Sequence, residues 1–339
     1  MKKCLFVFAL VALMTFSVFA GGSSESKSED DGALKIALII ENTIDDKGWC
    51  QAMYDGLVLA QQEMPGEFEF KVAEKMAPVD AGSIARQFVA EGYDLIIAHG
   101  AQYKNLILEL AEDNPDISFA YGTAGEIGPE NVYTYMPESE ETGYLSGIIA
   151  GMLTKVQTVG YVGPVDGGDA ARYGRGFVMG VKRVNPDCKI LIAHTGSFSD
   201  YVKAGEVATS QIGNGADVLT GASQQAIGAL RATADHEGVL WVGQDMEQLK
   251  TTEGMAKCVF ASSYNYAAVI KDMVNNIKVG KLGGEVIPMN FNNGGFVFGY
   301  NDSIELDEAI KAEVASALAD LTAEAGTLHN YVDIDYSKV

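Results

Sequence analysis

The segment ENTIDDKGWCQAMYDGL, residues 41–57, follows an apolar run and leads into an amphipathic stretch that predicts a helix. Trp49 in this segment is large enough to cover a planar heterocycle, and stacking a base on an aromatic face contributes about 1–3 kcal/mol. Gly48 allows a ligand to approach the backbone closely. The alternative interpretation is that Trp49 closes the top of the core, and periodicity does not separate the two.

Two acids lie just before the predicted helix, Asp45 and Asp46. A carboxylate at this position stabilises the unpaired amide groups of the first helical turn. We therefore expect at least one of the two to cap the helix. Asp46 is also a candidate to accept a hydrogen bond from an amine of a bound base.

Two segments share a pattern of glycine, aspartate, a short apolar run, a small residue and glutamine: EGYDLIIAHGAQ and NGADVLTGASQQ. Each places a turn at the carboxyl end of a strand, the edge where open α/β sheets bind ligands. Gln102 and Gln224 are therefore candidate ligand contacts, and His99 and Tyr103 lie beside the first. For each of them a solvated loop position is the alternative.

Arg172 opens a later predicted helix and is a further candidate, although Asp166 or Asp169 offers it an ion pair instead. Catalytic constellations are not apparent in the sequence. The four histidines fall at no metal-ligand spacing, and there is no Walker motif and no Gly-x-Ser-x-Gly nucleophile elbow. The sequence therefore favours a binding protein over an enzyme and predicts no cofactor and no metal.

The elements that must position these residues alternate regularly along the chain. Short apolar runs predict strands at residues 35–41, 68–73, 94–99, 117–121, 132–135, 158–162, 189–194, 217–219, 239–242 and 258–261. Amphipathic stretches between them predict helices at residues 51–64, 82–91, 104–113, 142–153, 173–184, 200–214 and 221–236. Strand–helix alternation of this kind predicts parallel sheets covered on both faces. The two series, before and after about residue 156, predict an α/β protein with two doubly wound lobes.

The beginning of the chain has the pattern of a secretory signal peptide. Lys2 and Lys3 precede an apolar stretch that ends in Val18-Phe19-Ala20, with small residues at the positions that precede cleavage. A membrane anchor is the alternative interpretation. We predict a signal peptide at residues 1–20 and a flexible linker at residues 21–32, without a standard lipobox, because no cysteine follows the cleavage site. The mature protein is expected in the periplasm or outside the cell envelope.

The composition restricts the partners of the protein. A formal net charge of -22, from 24 basic and 46 acidic residues, argues against binding to nucleic-acid polymers or anionic lipid. After cleavage three cysteines remain, Cys50, Cys188 and Cys258, so a disulfide framework is not expected. Nothing in the sequence indicates an oligomer, and we expect a monomer.

The segment IDDKGWCQAMYDGL resembles the signature after the first strand in the basic membrane protein family, the purine-nucleoside-receptor-like substrate-binding proteins of ABC transporters. In that family the pattern is commonly Asp-Asp-Lys-Ser-Phe-Asn, and a subgroup has Gly-Trp in place of Ser-Phe. The likeness continues through residues 138–155, 159–187, 194–224 and 241–248 and covers about residues 34–330.

The resemblance implies a type I periplasmic-binding-protein fold, in which three crossings join two lobes that enclose the ligand. Here the crossings would lie near residues 155–158, 260–265 and 285–296. The N-terminal lobe would then contain residues 33–156 and about 263–288. The C-terminal lobe would contain residues 157–262 and about 289–339.

The resemblance also implies site residues. Trp49 and Phe198 would stack on opposite faces of the base, and Asp245 would accept hydrogen bonds from ribose hydroxyls, with helix capping as its alternative role. Two departures put ribose recognition in doubt: Cys50 replaces an asparagine, and Ser263 replaces a lysine that holds the sugar. Tyr264 or Asn265 would line a smaller site for a purine base.

The sequence therefore predicts an extracytoplasmic solute-binding protein of an ABC importer, which delivers a purine base or nucleoside to a permease. Two alternatives share its binding residues: a sensory receptor component of the same fold, and a binder of a different small neutral solute. A nucleoside hydrolase is the enzymatic alternative, and release of free base from a nucleoside would reveal it.

Overall fold

The computed structural model describes residues 32–323, Leu328 and residues 334–336. The predicted signal peptide, and all but the last residue of the predicted linker, lie outside the described residues. In the part of the chain that is described, no helix is both long and apolar enough to cross a membrane.

The described chain alternates strands and helices almost throughout. In chain order the elements are β1 (Leu34–Ile39), α1 (Trp49–Glu63), β2 (Phe68–Ala73), α2 (Pro78–Ala90), β3 (Leu95–Ala98), α3 (Lys104–Asp113), β4 (Ser118–Gly122), β5 (Val132–Pro137), α4 (Glu140–Leu153), β6 (Thr158–Gly163), α5 (Gly168–Val184), β7 (Lys189–His194), α6 (Tyr201–Gly213), β8 (Val218–Gly221), α7 (Ala226–Ala234), β9 (Leu240–Gly243), α8 (Thr252–Lys257), β10 (Cys258–Tyr264), α9 (Tyr266–Lys278), β11 (Glu285–Met289), β12 (Phe296–Tyr300) and α10 (Glu308–Ala323). The ten predicted strands are confirmed, with ends that differ by a few residues, whereas β11 and β12 are not predicted.

The strands form two six-stranded sheets, with the orders β11-β5-β4-β3-β1-β2 and β12-β10-β9-β8-β6-β7. All pairings are parallel except the one between β10 and β12. Helices cover both faces of a parallel sheet, so its central strands are buried on both sides. The four residues of β3, Leu-Ile-Ile-Ala, are accordingly all apolar and all buried.

The position of the site follows from the strand order. In the first sheet the chain moves outward from β1 to β2 and then returns to β3 on the other side of β1. In the second sheet the same reversal occurs between β6 and β8. Adjacent loops leave opposite faces of the sheet at such a reversal, and the crevice between them is the usual ligand site in open α/β sheets. Each sheet therefore supplies one crevice.

The chain passes between the sheets three times, so each sheet with its helices forms one lobe. The first lobe contains residues 33–137 and 266–289, and the second lobe contains residues 138–264 and 296–323. The passages follow β5, β10 and β11.

The first passage lies near residue 138, earlier than the predicted 155–158, because α4 packs in the second lobe. In its contact with α5 the two backbones approach closely. A Cβ atom added to Gly143 would lie 2.0 Å from the carbonyl oxygen of Tyr173, and one added to Gly180 would lie 2.0 Å from that of Tyr144. Glycines on both helices thus permit an approach that alanine would prevent, and this contact holds α4 on α5.

Candidate ligand-binding site

A cavity of about 450 Å³ lies between the two lobes. This volume is within the range of about 300–1,000 Å³ that is usual for small-molecule sites. The first lobe contributes the turns that follow β1, β3 and β4, and the second lobe contributes the turns that follow β6 to β9. The two crevices at the reversals of strand order therefore open into one shared space.

The turn after β1 is held by Asp46, which is buried. Its Oδ1 accepts hydrogen bonds from the amides of Gly48 and Gln51, both at 3.0 Å, and its Oδ2 accepts one from the amide of Cys50 at 3.3 Å. The same Oδ2 accepts a hydrogen bond of 3.1 Å from Nε2 of Gln224 in the second lobe. Asp46 thus both organises the start of α1 and joins the lobes.

Gly48 lies against the same glutamine. A Cβ atom added to Gly48 would be 3.1 Å from Cγ of Gln224, which is closer than ordinary van der Waals contact. A side chain at position 48 would therefore oppose this arrangement of the lobes. The absence of a side chain at Gly48 lets Gln224 of the second lobe approach without displacement.

Trp49 is the first residue of α1 and lines the cavity. Its indole is stacked on the imidazole of His99, with ring centroids 4.3 Å apart and an interplanar angle of 11°. Its Nε1 donates to the carbonyl oxygen of His99 at 3.4 Å. The histidine is completely buried at the end of β3, so it supports the indole from inside the first lobe.

Two tyrosines stand at right angles to this indole. Tyr266 and Tyr264 meet Trp49 edge to face, with centroid distances of 5.7 and 5.3 Å. The hydroxyl of Tyr264 donates to Oδ2 of Asp169 at 2.6 Å and accepts from Nε2 of Gln244 at 3.0 Å. Burial raises the pKa of Asp169, and the hydrogen bond from Tyr264 partly offsets this. Tyr264, Asp169 and Gln244 form a polar wall of the cavity.

Asp245 lies on the second-lobe side of the cavity and is buried. Its Oδ1 accepts hydrogen bonds from the amide of Glu247 at 2.8 Å and from Oγ of Ser263 at 3.3 Å. Burial raises the pKa of Asp245 to about 7, and the carboxylate of Glu247 acts in the same direction. This carboxyl group therefore changes its charge near neutral pH.

Besides the pair of Gln224 and Asp46, a second pair of an amide and a carboxylate side chain lies at the edge of the cavity in the first lobe. Nε2 of Gln102 donates to Oε2 of Glu41 at 2.9 Å, and both residues line the cavity. The site as a whole combines an aromatic floor with amide, carboxylate and hydroxyl groups. This combination suits a small ligand with several hydrogen-bonding atoms.

The family model for ABC transporter substrate-binding proteins of the PnrA-like Bmp family matches residues 33–319. This chain belongs to that family. The predicted family is therefore confirmed, and so is the α/β fold of periplasmic solute-binding proteins. As a Bmp-family protein it is an extracytoplasmic solute-binding component of an ABC transporter, with a small-molecule ligand and a permease as partner. Its family is one of binding proteins rather than enzymes.

Several relatives and solved structures are similar to this Bmp-family protein. The ABC transporter nucleoside-binding protein BmpA of Lactococcus lactis is 27% identical over 344 residues, which covers 95% of this chain and 97% of the relative. A putative ABC transporter glucose-binding protein of Haloferax volcanii is 29% identical over 215 residues, covering 63% of this chain and 53% of the relative. The solved structure of an ABC transporter solute-binding protein of Conexibacter woesei has a TM-score of 0.72 at 22% identity, covering 86% of this chain and 97% of that one.

Most of the residues predicted for the site of this Bmp-family protein lie around one cavity. Those that line it are Gly48, Trp49, Gln102, Phe198, Gln224, Asp245 and Tyr264. Trp49 lies on the first-lobe side of the cavity, and Phe198 is exposed on the second-lobe side. Their stacking on one ligand remains a prediction.

Three predicted residues do not line this cavity. Asp46 lies behind the turn as a helix cap. Arg172 pairs with Glu140 through two hydrogen bonds of 2.5 Å, beside the first passage between the lobes, because the buried carboxylate of Glu140 faces it. Asn265 donates to the carbonyl oxygen of Gly294 at 2.9 Å and faces a separate groove of about 220 Å³.

Several cavity residues are not among the predicted ligand contacts. Glu41, Asp169 and Gln244 all follow strands of the two sheets at the edge that faces the cavity. The sequence predicts Asp169 only as a possible ion-pair partner of Arg172. Only the strand order of the folded sheet, which reverses after β6, shows that the turn with Asp169 faces the crevice.

Proposed function

We propose that this protein binds a purine base or a purine nucleoside in the cavity and delivers it to the permease of an ABC importer. The supporting observation is the Trp49 indole, which is stacked on His99 and forms part of the cavity wall. A flat apolar ring surface in a site of this size favours a ligand that is itself flat, because stacking buries both faces at once.

The polar groups around the indole fit the edges of such a heterocycle. Gln102, Gln224 and Gln244 each carry both a donor and an acceptor, which matches the alternating donors and acceptors of a purine. Asp169 and Asp245 add acceptors for amine or hydroxyl hydrogens. The described lining contains a single basic residue, Lys47, which disfavours a ligand with several phosphates.

The contacts of Ser263 bear on the choice between base and nucleoside. Its Oγ donates to Asp245 at 3.3 Å and accepts from the amide of Met246 at 2.7 Å, so the serine occupies one side of the carboxyl group. The remaining lone pairs of Asp245 are available to a ribose. A base bound without sugar would leave that part of the cavity to water.

A sugar is the second candidate, because carboxylates and amides beside an aromatic ring also suit a pyranose. The relative from Haloferax volcanii whose name indicates glucose binding favours the same candidate. Both a purine and a sugar can pack on the flat surface of Trp49. The two candidates are therefore distinguished by the relative affinity of the protein for purines and for sugars.

Calorimetric titration of the refolded mature protein tests the proposal. Ligand retained from expression is first released by denaturation and identified by mass spectrometry. Adenine, guanine, adenosine, inosine, glucose and galactose are then titrated. Trp49→Ala should weaken purine binding by about 1–3 kcal/mol. Tyr54→Ala, on the same helix but against Phe70 and away from the cavity, should leave it unchanged. Saturable binding of a sugar but of no purine would refute the proposal.

The proposed compartment and assembly are tested on the same material. We propose cleavage after Ala20, which predicts a mature protein that begins at Gly21. N-terminal sequencing of protein from the cell envelope would show this. Light scattering after size exclusion should give the mass of a monomer.

A further inference from the structure

Trp49 is the outermost of three stacked rings in the first lobe. His99 stacks on Trp49 at 4.3 Å and on Tyr135 at 5.9 Å, with interplanar angles of 11° and 16°. Tyr266 stands beside the stack and is perpendicular to all three rings, at centroid distances of 5.7, 5.0 and 5.8 Å from Trp49, His99 and Tyr135. The three rings come from α1, the residue that follows β3, and β5, so the stack crosses the crevice end of the first sheet.

The hydrogen bonds of His99 determine its tautomer. Its Nε2 lies 3.1 Å from the carbonyl oxygen of Trp49, which can only accept, so Nε2 carries the proton. Its Nδ1 lies 2.7 Å from the hydroxyl of Tyr135 and therefore accepts from it. Burial lowers the pKa of His99 to about 3, which keeps the ring neutral throughout the ordinary pH range. Both ring nitrogens are thus satisfied without any net charge.

Trp49 and His99 are joined reciprocally. The ring of each residue donates to the carbonyl oxygen of the other, through the bonds from Nε1 of Trp49 and Nε2 of His99. The ring contact and the bond from Nε1 restrain rotation of the indole, and the bond from Nε2 of His99 holds the backbone carbonyl of Trp49. We propose that His99 is a positioning residue, which holds the Trp49 indole as a preformed stacking surface for the ligand.

The wall beside the stack indicates where the ligand ring lies. Tyr264 is stacked on Tyr266 with an interplanar angle of 23° and meets Trp49 edge to face, and it lines the cavity. The perpendicular wall thus continues from Tyr266, beside the buried rings, to Tyr264, beside the cavity. A flat heteroaromatic ligand ring placed on Trp49 would become the fourth layer of the stack, with its edge toward Tyr264. This part of the inference rests on the proposed function.

Fluorine NMR of protein that contains 5-fluorotryptophan tests the positioning role without any ligand. The chain has two tryptophans, and Trp241 is completely buried in the second lobe, so its resonance serves as an internal reference. In His99→Leu the Trp49 resonance should broaden or split while the Trp241 resonance stays in place. His99→Phe keeps a flat ring and the backbone carbonyl but loses the hydrogen bonds of both ring nitrogens, and it should give an intermediate spectrum.

His194 provides a matched control, because it too lies at the carboxyl end of a strand, β7, but its ring packs against Tyr161 and Tyr336 instead of Trp49. His194→Leu should leave the Trp49 resonance unchanged. An unchanged Trp49 resonance in His99→Leu would overturn the positioning role. A displaced Trp241 resonance would show that His99→Leu does not fold. In that case an unchanged Trp49 resonance in His99→Phe would overturn the positioning role.

Ligand titrations separate this inference from the proposed function. Ordering one free side chain on binding weakens affinity about two- to tenfold, so His99→Leu should bind adenine or adenosine more weakly by that factor. A protein that binds no purine but shows the expected change in the Trp49 resonance would refute the function and keep the positioning role. A His99→Leu variant that binds purines with wild-type affinity and shows an unchanged Trp49 resonance would refute the positioning role and keep the proposed function.

Discussion

Replacing Glu141 by glutamine should stabilise the protein above neutral pH and have little effect in acid. Glu141 lies at the start of α4, next to the first passage between the lobes, and is buried. Its Oε2 accepts a hydrogen bond of 2.8 Å from the amide of Phe291, which belongs to the third passage. Two passages of the hinge are therefore joined through one carboxyl group.

The magnitude follows from the pKa of this group. Burial raises the pKa of Glu141 from 4.5 to about 7, and the nearby carboxylates of Glu138 and Glu140 act in the same direction. Between these two values the folded protein keeps a proton that the unfolded chain has lost. The free energy of unfolding therefore falls as pH rises through this window. A shift of this size corresponds to about 3 kcal/mol at about pH 8.

Glutamine does not titrate and can still accept the hydrogen bond from the amide of Phe291. The stability gain of Glu141→Gln should therefore be small at about pH 4.5 and approach about 3 kcal/mol at about pH 8. Urea unfolding at several pH values measures the difference. Glu206→Gln, on the exposed surface of α6, is the control and should show no such trend. A gain that is the same at both pH values would refute the reasoning.

Three further predictions concern the ligand and the helix contact. Trp49→Ala should weaken purine binding by about 1–3 kcal/mol, roughly five- to over a hundredfold in calorimetry, and an unchanged affinity in a folded variant would remove Trp49 from the site. Affinity for a nucleoside should rise with pH through about 7, because ionised Asp245 accepts hydroxyl hydrogen bonds better, and Asp245→Asn should be insensitive to pH. Gly147→Ala should destabilise the protein by about 1–3 kcal/mol in urea unfolding, because the new Cβ would lie 2.1 Å from the carbonyl oxygen of Phe177. Its control Gly213→Ala, with open space around position 213, should be neutral or slightly stabilising, and equal effects of the two would contradict this account.

The strands were predictable where burial on both faces makes them continuously apolar, as in β3. The two strands that were missed lack this signal. β11 contains Pro288 and lies at the edge of its sheet, where a missing backbone donor is tolerated. β12 is also an edge strand and is half-exposed at three of its five residues. Edge strands are buried on fewer sides, so their composition is less constrained.

The lobe to which α4 belongs was not predictable in the same way. Periodicity predicts a helix at 142–153, but it does not show which neighbour the helix packs against. That choice depends on two glycines of α5, Gly176 and Gly180, which meet the backbone of α4 at Glu140 and Tyr144. In the sequence these glycines are far from the residues of α4 that they contact, so the close packing of the two helices is apparent only in the folded structure.

The sequence by itself determined the family, the two series of strands and helices, and the tryptophan at the carboxyl end of the first strand, because these features are local or carried by contiguous motifs. Only the tertiary structure decided what supports that tryptophan. His99 lies 50 residues from Trp49 in the chain, and Tyr264 lies 95 residues from Asp169, yet each pair is in direct contact. Such pairs form because parallel strands deliver their carboxyl ends to one edge of a sheet, and which ends become neighbours depends on strand order. Strand order is a property of the whole folded sheet, so no single segment of the sequence encodes it.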